Sequence, residues 1–330
     1  MNRRNTTFLE PGIRLRLEEL IADNFKNEEI DEIGSLLLRK YDSHDTAGAE
    51  RHITISRRRA AHLLVDACDR QGKSADLVSL VVDIDGNQLL GRRIRVNGIE
   101  GFLNALMRRG YVYDPDRHRI ELYQGNLGTL KNWGSLKDGR QYDVSVISVD
   151  IVGNSNLVRE SGVKAVEELS FRFHSFLSRR LEEYDGRMWH WAGDGGIVAF
   201  ALEGHADRCA LCAIAIQKSM LLFNISPDKS LDQVVSLRVA GHTGKVKFYK
   251  DTGKIVSDTI NYAAHLEKFA TRPGFVSLSE NLHAAVDKRI RSLFSRWAEF
   301  EGKGYWTTEG RLDTTFPVAA EPHETTSVSR

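Results

Sequence analysis

The distribution of apolar and polar residues in the second half of the chain predicts alternating strands and helices. Short apolar runs, several of them β-branched, are typical of buried strands. They cover residues 143–149, 187–192, 196–201, 234–241 and 274–279. Longer runs with apolar residues three or four positions apart predict helices over 156–184, 205–223, 257–270 and 280–294. The order strand, helix, strand, strand, helix, strand predicts a ferredoxin-like α+β fold, in which helices flank a mostly antiparallel central sheet.

The first 135 residues follow a different pattern, which predicts a smaller α+β domain. Helical periodicity and two short strands around an Asp-Pro-Asp turn cover residues 14–41, 56–70, 99–109, 111–113 and 120–123. A helix followed by a hairpin resembles a winged helix, so DNA binding stays open beside a regulatory or interaction role. The basic residues are spread rather than gathered on one face, which favours the regulatory or interaction role.

Polar segments predict the domain boundaries. A polar, glycine-containing stretch near residues 125–140 has the composition of a linker, and the last residues are rich in Glu, Thr and Ser. We therefore expect an N-terminal regulatory or interaction domain over 1–135, a second domain over 136–310 and a C-terminal tail over 311–330.

Composition is that of a soluble globular protein. Of the 330 residues, 41% are hydrophobic and 28% charged, and the formal net charge of +1 gives no overall attraction to nucleic acid or anionic lipid. No apolar run approaches the length of a membrane span and no signal-peptide pattern is present, which predicts a cytoplasmic protein. Two of the three cysteines, Cys209 and Cys212, lie in an apolar helix, where core packing is favoured over zinc binding.

Two short acidic segments carry the candidate chemistry. Asp150 follows the strand 143–149, and Asp194 lies in a Gly-Asp-Gly turn between two predicted strands. Such residues can converge on one point, where two carboxylates hold Mg²⁺ or Mn²⁺ and leave coordination sites for phosphates. The amides that follow Asp150 precede a helix start, where anions are favoured. They belong to Val152, Gly153, Asn154 and Ser155. The pattern indicates metal-assisted attack on a nucleotide phosphate.

Four motifs in chain order resemble the catalytic domain of class III nucleotide cyclases. They are Asp-Ile-x-Gly at 150–153, Gly-Asp-Gly at 193–195, Gly-His-Thr-Gly at 241–244 and Asp-Thr-x-Asn-x-Ala-x-x-Leu at 258–266. The resemblance covers about residues 142–306. It implies a class III cyclase catalytic domain that forms a head-to-tail homodimer with two composite sites. It also implies attack of the ribose 3′-hydroxyl of a nucleoside triphosphate on its own α-phosphate, with release of pyrophosphate.

The resemblance assigns roles to individual residues. One subunit supplies Asp150, Asp194 and the carbonyl of Ile151, which hold two divalent ions. The other subunit supplies Asn261, which orients the ribose, and Lys303, which binds the terminal phosphates. A solvated turn lysine and local backbone hydrogen bonding by the aspartates are the alternatives.

The main departure from the family pattern is His265. The family has an arginine there, four residues after the asparagine, that stabilises the transition state. Histidine donates fewer hydrogen bonds and is charged only near or below about pH 6.5. Either another cation, Lys254 or Arg238, takes over, or turnover is slow.

The base-reading positions, where adenylate cyclases of the family have Lys and Asp, are His190 and Lys254 in this chain. Lysine carries only donors, which suits a base carbonyl and favours UTP over CTP. Bulky residues nearby, Trp189, Trp191 and Tyr262, either narrow the pocket toward a pyrimidine or pack in the core.

This pair, with a soluble N-terminal module, resembles the pyrimidine cyclases of bacterial antiphage signalling (Pycsar systems). The resemblance implies that UTP is converted to 3′,5′-cyclic UMP, a second messenger. A cytidylate or adenylate cyclase of the same fold, or a degenerate nucleotide-sensing module, are the alternatives. No membrane or nucleic-acid partner is expected, and the sequence does not indicate what the N-terminal domain binds.

Overall fold

A computed structural model describes residues 8–153, 163–226 and 234–313. The chain divides into two compact units, Met1–Lys137 and Asp138–Arg330. Asn154 and Ser155, two of the predicted phosphate-binding residues, and most of the predicted tail lie outside the described residues.

The first unit is mainly helical. Its helices are α1 (Pro11–Asn24), α2 (Asn27–Leu37), α3 (Ser43–Ala47), α4 (Arg57–Arg70), α5 (Ser74–Ile84) and α6 (Ile99–Met107). Two hairpins, β1 (Gln88–Leu89) with β2 (Arg92–Arg93) and β3 (Tyr111–Asp114) with β4 (Arg119–Leu122), complete it. The structure therefore confirms the hairpin predicted around the Asp-Pro-Asp turn. The helical stretch predicted over 14–41 is interrupted, because the buried Phe25 has extended backbone and separates α1 from α2.

The second unit contains a seven-stranded sheet. Its strands are β5 (Gln141–Ile151), β6 (Arg187–Ala192), β7 (Gly195–Ala201), β8 (Leu237–Lys247), β9 (Val276–Ser279), β10 (Phe294–Phe300) and β11 (Lys303–Thr308). Its helices are α7 (Val163–Glu183), α8 (His205–Ile225), α9 (Asp258–Ala270), α10 (Glu280–Ala285) and α11 (Lys288–Arg291). The strands lie in the order β10-β11-β9-β8-β5-β7-β6, and within the described residues β8 and β9 are the one pair that is parallel.

The first four strands of this unit confirm the predicted fold class. They lie in the order β8-β5-β7-β6 and are all antiparallel, and the connections from β5 to β6 and from β7 to β8 contain α7 and α8. In chain order this is fourth, first, third, second, which is the ferredoxin-like arrangement. The second unit is therefore α+β with a mostly antiparallel sheet flanked by helices.

The two faces of the sheet have different neighbours because side chains alternate along a strand. Ile147, Val149 and Ile151 of β5 join the core formed with α7 and α8. On the opposite face, Ala240 of β8 packs with Tyr262 of α9. Residues at even positions of β5 therefore lie on the α9 face.

The helix predicted over 280–294 is wrong. Two short helices, α10 and α11, occupy this stretch, and Val286 between them has extended backbone. The β10–β11 hairpin was not predicted. Its turn residues, Glu301 and Gly302, both have positive φ (49° and 73°), which is typical of a two-residue type I′ turn between paired strands.

Candidate active site

The end of β5 and the β6–β7 hairpin place Asp150 beside Asp194. Asp150 pairs with Gly195 in the β5–β7 register, and the Ile151 amide donates a hydrogen bond to the Asp194 carbonyl at 3.2 Å. A Cβ atom on Gly195 would lie 2.8 Å from the Val149 carbonyl and 3.0 Å from Asp150 Oδ1. The approach of the two segments therefore requires glycine at this position.

The negative charges of Asp150 and Asp194 repel each other. Burial first, and then the negative charge of Asp194, raises the pKa of Asp150 above its ordinary value. The guanidinium of Arg238 and the ammonium of Lys268 act in the opposite direction. A cation beside Asp150 and Asp194 would offset this repulsion and favour the ionised form of Asp150.

Arg238 links three elements at the site. It lies opposite Asp150 in the β5–β8 register, and its Nη2 donates a hydrogen bond to Asp150 Oδ2. Its Nε donates to Glu267 Oε1 at 2.7 Å, and Glu267 is a buried residue of α9. Sequence reasoning considered Arg238 only as a substitute for the missing transition-state arginine. Its role here depends on strand register, which the sequence motif does not reveal.

The donor set fits a hard divalent cation that is shared with a ligand. Among the described residues, no group of three or more His, Cys, Asp and Glu side chains could hold a metal by itself. Asp150 Oδ2 is engaged by Arg238, whereas Oδ1 lies on the Gly195 side. Two carboxylates alone leave coordination positions that phosphate oxygens and a main-chain carbonyl can fill. The predicted carbonyl ligand, Ile151, is the last residue of β5.

The segment after Asp150 is only partly available to a phosphate. The Val152 amide donates a hydrogen bond to the Ser236 carbonyl at 2.9 Å, so it is engaged within the unit. Gly153 is exposed and has a positive φ of 73°. A glycine is well suited to this backbone conformation, which starts the turn away from β5.

Helix α9 carries the predicted ribose-binding residue on its exposed face. Asn261 and His265 lie four residues apart and are both exposed, whereas Ala263 and Leu266 are buried. Residues four apart share one helix face. Nδ1 of His265 lies 3.0 Å from Glu301 Oε1, so Nε2 is the ring nitrogen that remains for a ligand.

Lys303 lies near this face, at the start of β11. Its Nζ is 5.5 Å from the centroid of the Tyr262 ring, and the residue is exposed. Behind Tyr262 lies the buried His242, whose Nδ1 is 2.7 Å from Ser279 Oγ. Burial, with a smaller contribution from Lys303, lowers the pKa of His242 to about 4.

The predicted base-reading residues lie on neighbouring segments. His190 of β6 is exposed, and a Cβ atom on Gly253 would lie 3.8 Å from its Nδ1. The hydroxyl of Thr252 donates a hydrogen bond to the Trp189 carbonyl at 2.6 Å, which connects the turn Thr252–Lys254 to β6. In the same turn, Lys254 Nζ lies 3.0 Å from Asp251 Oδ2, and both side chains are exposed. Sequence reasoning did not include Asp251.

Two of the three bulky residues near the base-reading positions pack in the core, and the third, Trp191, is half-buried against it. Trp189 is buried against Phe248, and Tyr262 is buried beside His242. Trp191 packs against Phe173 of α7, on the opposite face of the sheet from α9. These contacts favour core packing over a role in narrowing a base pocket.

The cysteines also pack in the core. Cys209 and Cys212 are fully buried and free, and burial raises the pKa of each thiol. This confirms core packing of both cysteines. Among the described helices, α8 is long and apolar enough to cross a membrane by length and composition, and 50% of that stretch is buried inside the unit.

Sequence comparison finds relatives that cover part of this chain. No protein-family model matches. The chain is 27% identical over 186 residues to a Rhizobium meliloti protein named "Putative adenylate cyclase 3", across 54% of this chain and 30% of that protein. It is 26% identical over 235 residues to an uncharacterized protein of Mycobacterium tuberculosis, across 68% of this chain and 42% of that protein. The chain thus spans less than half the length of these relatives.

The solved structures that are similar to part of this chain include two cyclases. The guanylyl cyclase domain of the RhoGC fusion protein from the fungus Blastocladiella emersonii is 17% identical, with a TM-score of 0.45 over 53% of this chain and 99% of that domain. The adenylyl cyclase CyaB from P. aeruginosa is 22% identical, with a TM-score of 0.43 over 53% of this chain and 98% of that one.

Replacing Arg238 tests whether the partly buried charge cluster of Asp150, Arg238 and Glu267 stabilises the second unit. Arg238→Gln leaves Asp150 and Glu267 without their shared counter-charge, so we expect the free energy of unfolding to fall by about 3 kcal/mol. Urea-induced unfolding followed by circular dichroism measures this change. Lys245→Gln is the matched control, because Lys245 pairs with Asp143 across the same two strands with exposed fractions of 63% and 65%. The control should lose less than about 1 kcal/mol. Equal losses in both variants would contradict the clustered role of Arg238.

The buried His242 predicts a pH dependence of stability. The pKa of His242 is about 4 in the folded protein, compared with 6.5 for a solvated histidine of the unfolded chain. Between these pH values the unfolded chain therefore binds a proton that the folded protein does not. The contribution of His242 to stability is therefore complete above pH 6.5 and decreases as the pH falls toward 4. We expect His242→Asn to flatten the slope of unfolding free energy against pH in this window. His174→Asn, an exposed position of the same unit, is the control. A slope that His242→Asn leaves unchanged would show that His242 does not titrate in this way.

Proposed function

We propose that the chain is a nucleotide cyclase, which closes the ribose of a nucleoside triphosphate onto its α-phosphate and releases pyrophosphate. The observation that carries the proposal is the adjacency of Asp150 and Asp194, each within its own motif, at one end of an antiparallel sheet. The 27% identity with a protein named as an adenylate cyclase supports the same reaction class.

In this proposal one subunit supplies the residues that bind the metal ions next to the phosphates. Mg²⁺ or Mn²⁺, bound by Asp150, Asp194 and the Ile151 carbonyl, would lower the pKa of the 3′-hydroxyl and neutralise the triphosphate. Arg238 holds the Asp150 carboxylate at the end of β5. It also favours the ionised form of Asp150, against the effects of burial and of Asp194.

The second subunit would complete the site from its α9 face. Asn261 lies exposed there, and Lys303 is exposed close by, so both are accessible to a second copy of the chain. Asn261 of the partner subunit would orient the ribose, and Lys303 of the partner subunit would bind the terminal phosphates. At the position of the family's transition-state arginine, His265 has only Nε2 to offer, because Nδ1 faces Glu301. This predicts slow turnover.

We propose UTP as the substrate, and ATP is the second candidate. Lys254 and His190 are donors suited to the carbonyl groups of uracil. The ion pair between Lys254 and Asp251 favours the second candidate, because it adds an acceptor that could receive the amino group of adenine. A role of cyclic UMP in antiphage signalling depends on the Pycsar resemblance alone and stays a hypothesis, as does a cytoplasmic location.

A nucleotide assay tests both the reaction and the base. Purified protein is incubated with Mn²⁺ and each of ATP, GTP, CTP and UTP, and the products are separated by liquid chromatography. We expect a cyclic mononucleotide and pyrophosphate, with UTP as the preferred substrate. Asp150→Asn and Asp194→Asn should each reduce the rate at least a hundredfold, about 3 kcal/mol in transition-state stabilisation.

The control for this assay is Asp143→Asn, an exposed acid on the same strand. It should keep the wild-type rate. Cyclic AMP as the main product would show that the substrate is ATP rather than UTP, and it would leave the proposed reaction class unchanged. Absence of product from all four nucleotides, in protein that is folded and dimeric, would contradict the cyclase proposal and favour a nucleotide-sensing module.

Mixing two inactive variants tests the composite site. Asp150→Asn damages the metal half and Asn261→Ala damages the ribose half, so each homodimer should be inactive. A mixed dimer contains one undamaged site, and random mixing in equal amounts should restore about a quarter of the wild-type rate. The rate is measured after co-expression with two different affinity tags, which verify that mixed dimers form. Mixed dimers without activity would mean that both residues act within one subunit.

A further inference from the structure

A groove between α7 and α8 lies apart from every residue used in the proposed reaction. The groove is open to solvent and has a volume of about 530 Å³, which is typical of small-molecule sites. Three arginines line it, Arg172, Arg179 and Arg180, together with apolar and serine side chains. The groove thus combines an apolar surface with a concentration of positive charge.

Large apolar side chains of the groove are exposed to solvent. Phe171 of α7 is 75% exposed and Leu222 of α8 is 67% exposed, while Phe223 is buried at the base. Ile225, one turn beyond Leu222, is 66% exposed and extends this apolar surface along α8. Contiguous exposed apolar side chains commonly mark a binding surface.

The arginines carry more positive charge than their neighbours compensate. Arg180 pairs with Glu183 at 3.1 Å, but Arg172 and Arg179 have no ion pair among the described residues. The guanidinium of Arg172 lies 5.4 Å from the centroid of the Phe223 ring. Its Nη1 atom and the Nε atom of Arg180 are buried, and neither has a hydrogen-bond partner within the described ranges. A partly buried cation without an anion is costly, so a bound anion would be stabilised here.

We propose that this groove binds a long-chain carboxylate, the chemistry of a fatty acid. The carboxylate would pair with Arg172 and Arg179, and the chain would cover Phe171, Leu222 and Phe223. Inorganic phosphate would neutralise the arginines but leave the apolar side chains exposed. A neutral hydrocarbon would cover the side chains but leave the charge uncompensated. Leu222 and Ile225, which are both exposed and lie one turn apart on α8, suit an extended chain better than a compact ring.

A competition assay with the full chain tests this site. The fluorescence of cis-parinaric acid reports binding, and oleate below its micellar concentration is the competitor. We expect wild-type protein to bind oleate, with oleyl alcohol and inorganic phosphate competing at least tenfold more weakly. Arg172→Gln should weaken oleate binding about tenfold, because one charge-assisted hydrogen-bond partner is lost. Leu222→Ser should weaken oleate without changing the ratio between oleate and oleyl alcohol.

Lys164→Gln, which removes an exposed cation of the same helix outside the groove, is the matched control and should bind oleate normally. If Arg172→Gln does not fold, as judged by circular dichroism, Arg179→Gln provides the same test from an exposed position. Failure of wild-type protein to bind oleate would overturn the proposal, as would equal competition by oleyl alcohol. Unchanged oleate affinity in a folded arginine variant would also overturn it. None of these outcomes depends on cyclase activity.

Discussion

The candidate site depends on the hydrogen bonds that the guanidinium of Arg238 donates to two carboxylates. Arg238 thereby joins Asp150 at the end of β5 to Glu267 of α9, across a pair of neighbouring strands. Without this cation, three acids, Asp150, Asp194 and Glu267, would lie together in a partly buried region. Because α9 also carries Asn261, the same contact fixes the exposed face of that helix relative to the two aspartates.

This interaction has a consequence for metal binding. Arg238 engages one oxygen of Asp150, so the carboxylate has its other oxygen, on the Gly195 side, for a cation. Arg238 therefore balances the charge of Asp150 on the β8 side. The side that faces the β6–β7 hairpin stays negative. Repulsion between Asp150 and Asp194 is the physical reason why a divalent ion would bind at this point. The groove between α7 and α8 has the opposite imbalance, an excess of cations beside apolar side chains.

The sequence predicted the core of the second unit because strand and helix periods were clear there. Alternating short and long apolar runs were sufficient for the order of strands from β5 to β8. It failed at 280–294, where apolar residues at helical spacing concealed the break at Val286. It also missed the β10–β11 hairpin, although the turn formed by Glu301 and Gly302 leaves a recognisable signal in the glycine. Local propensity is weakest in such short elements, where tertiary contacts decide the conformation.

The sequence by itself determined the fold class, the two acidic motifs and the buried character of the cysteines, because these depend on local pattern and composition. Only the tertiary structure decided which charges meet. Arg238 faces Asp150 because of antiparallel register, and it reaches Glu267 because α9 packs on this face of the sheet. The Val152 amide is already engaged by Ser236. Contacts between residues distant in sequence depend on register and packing, which no single motif encodes.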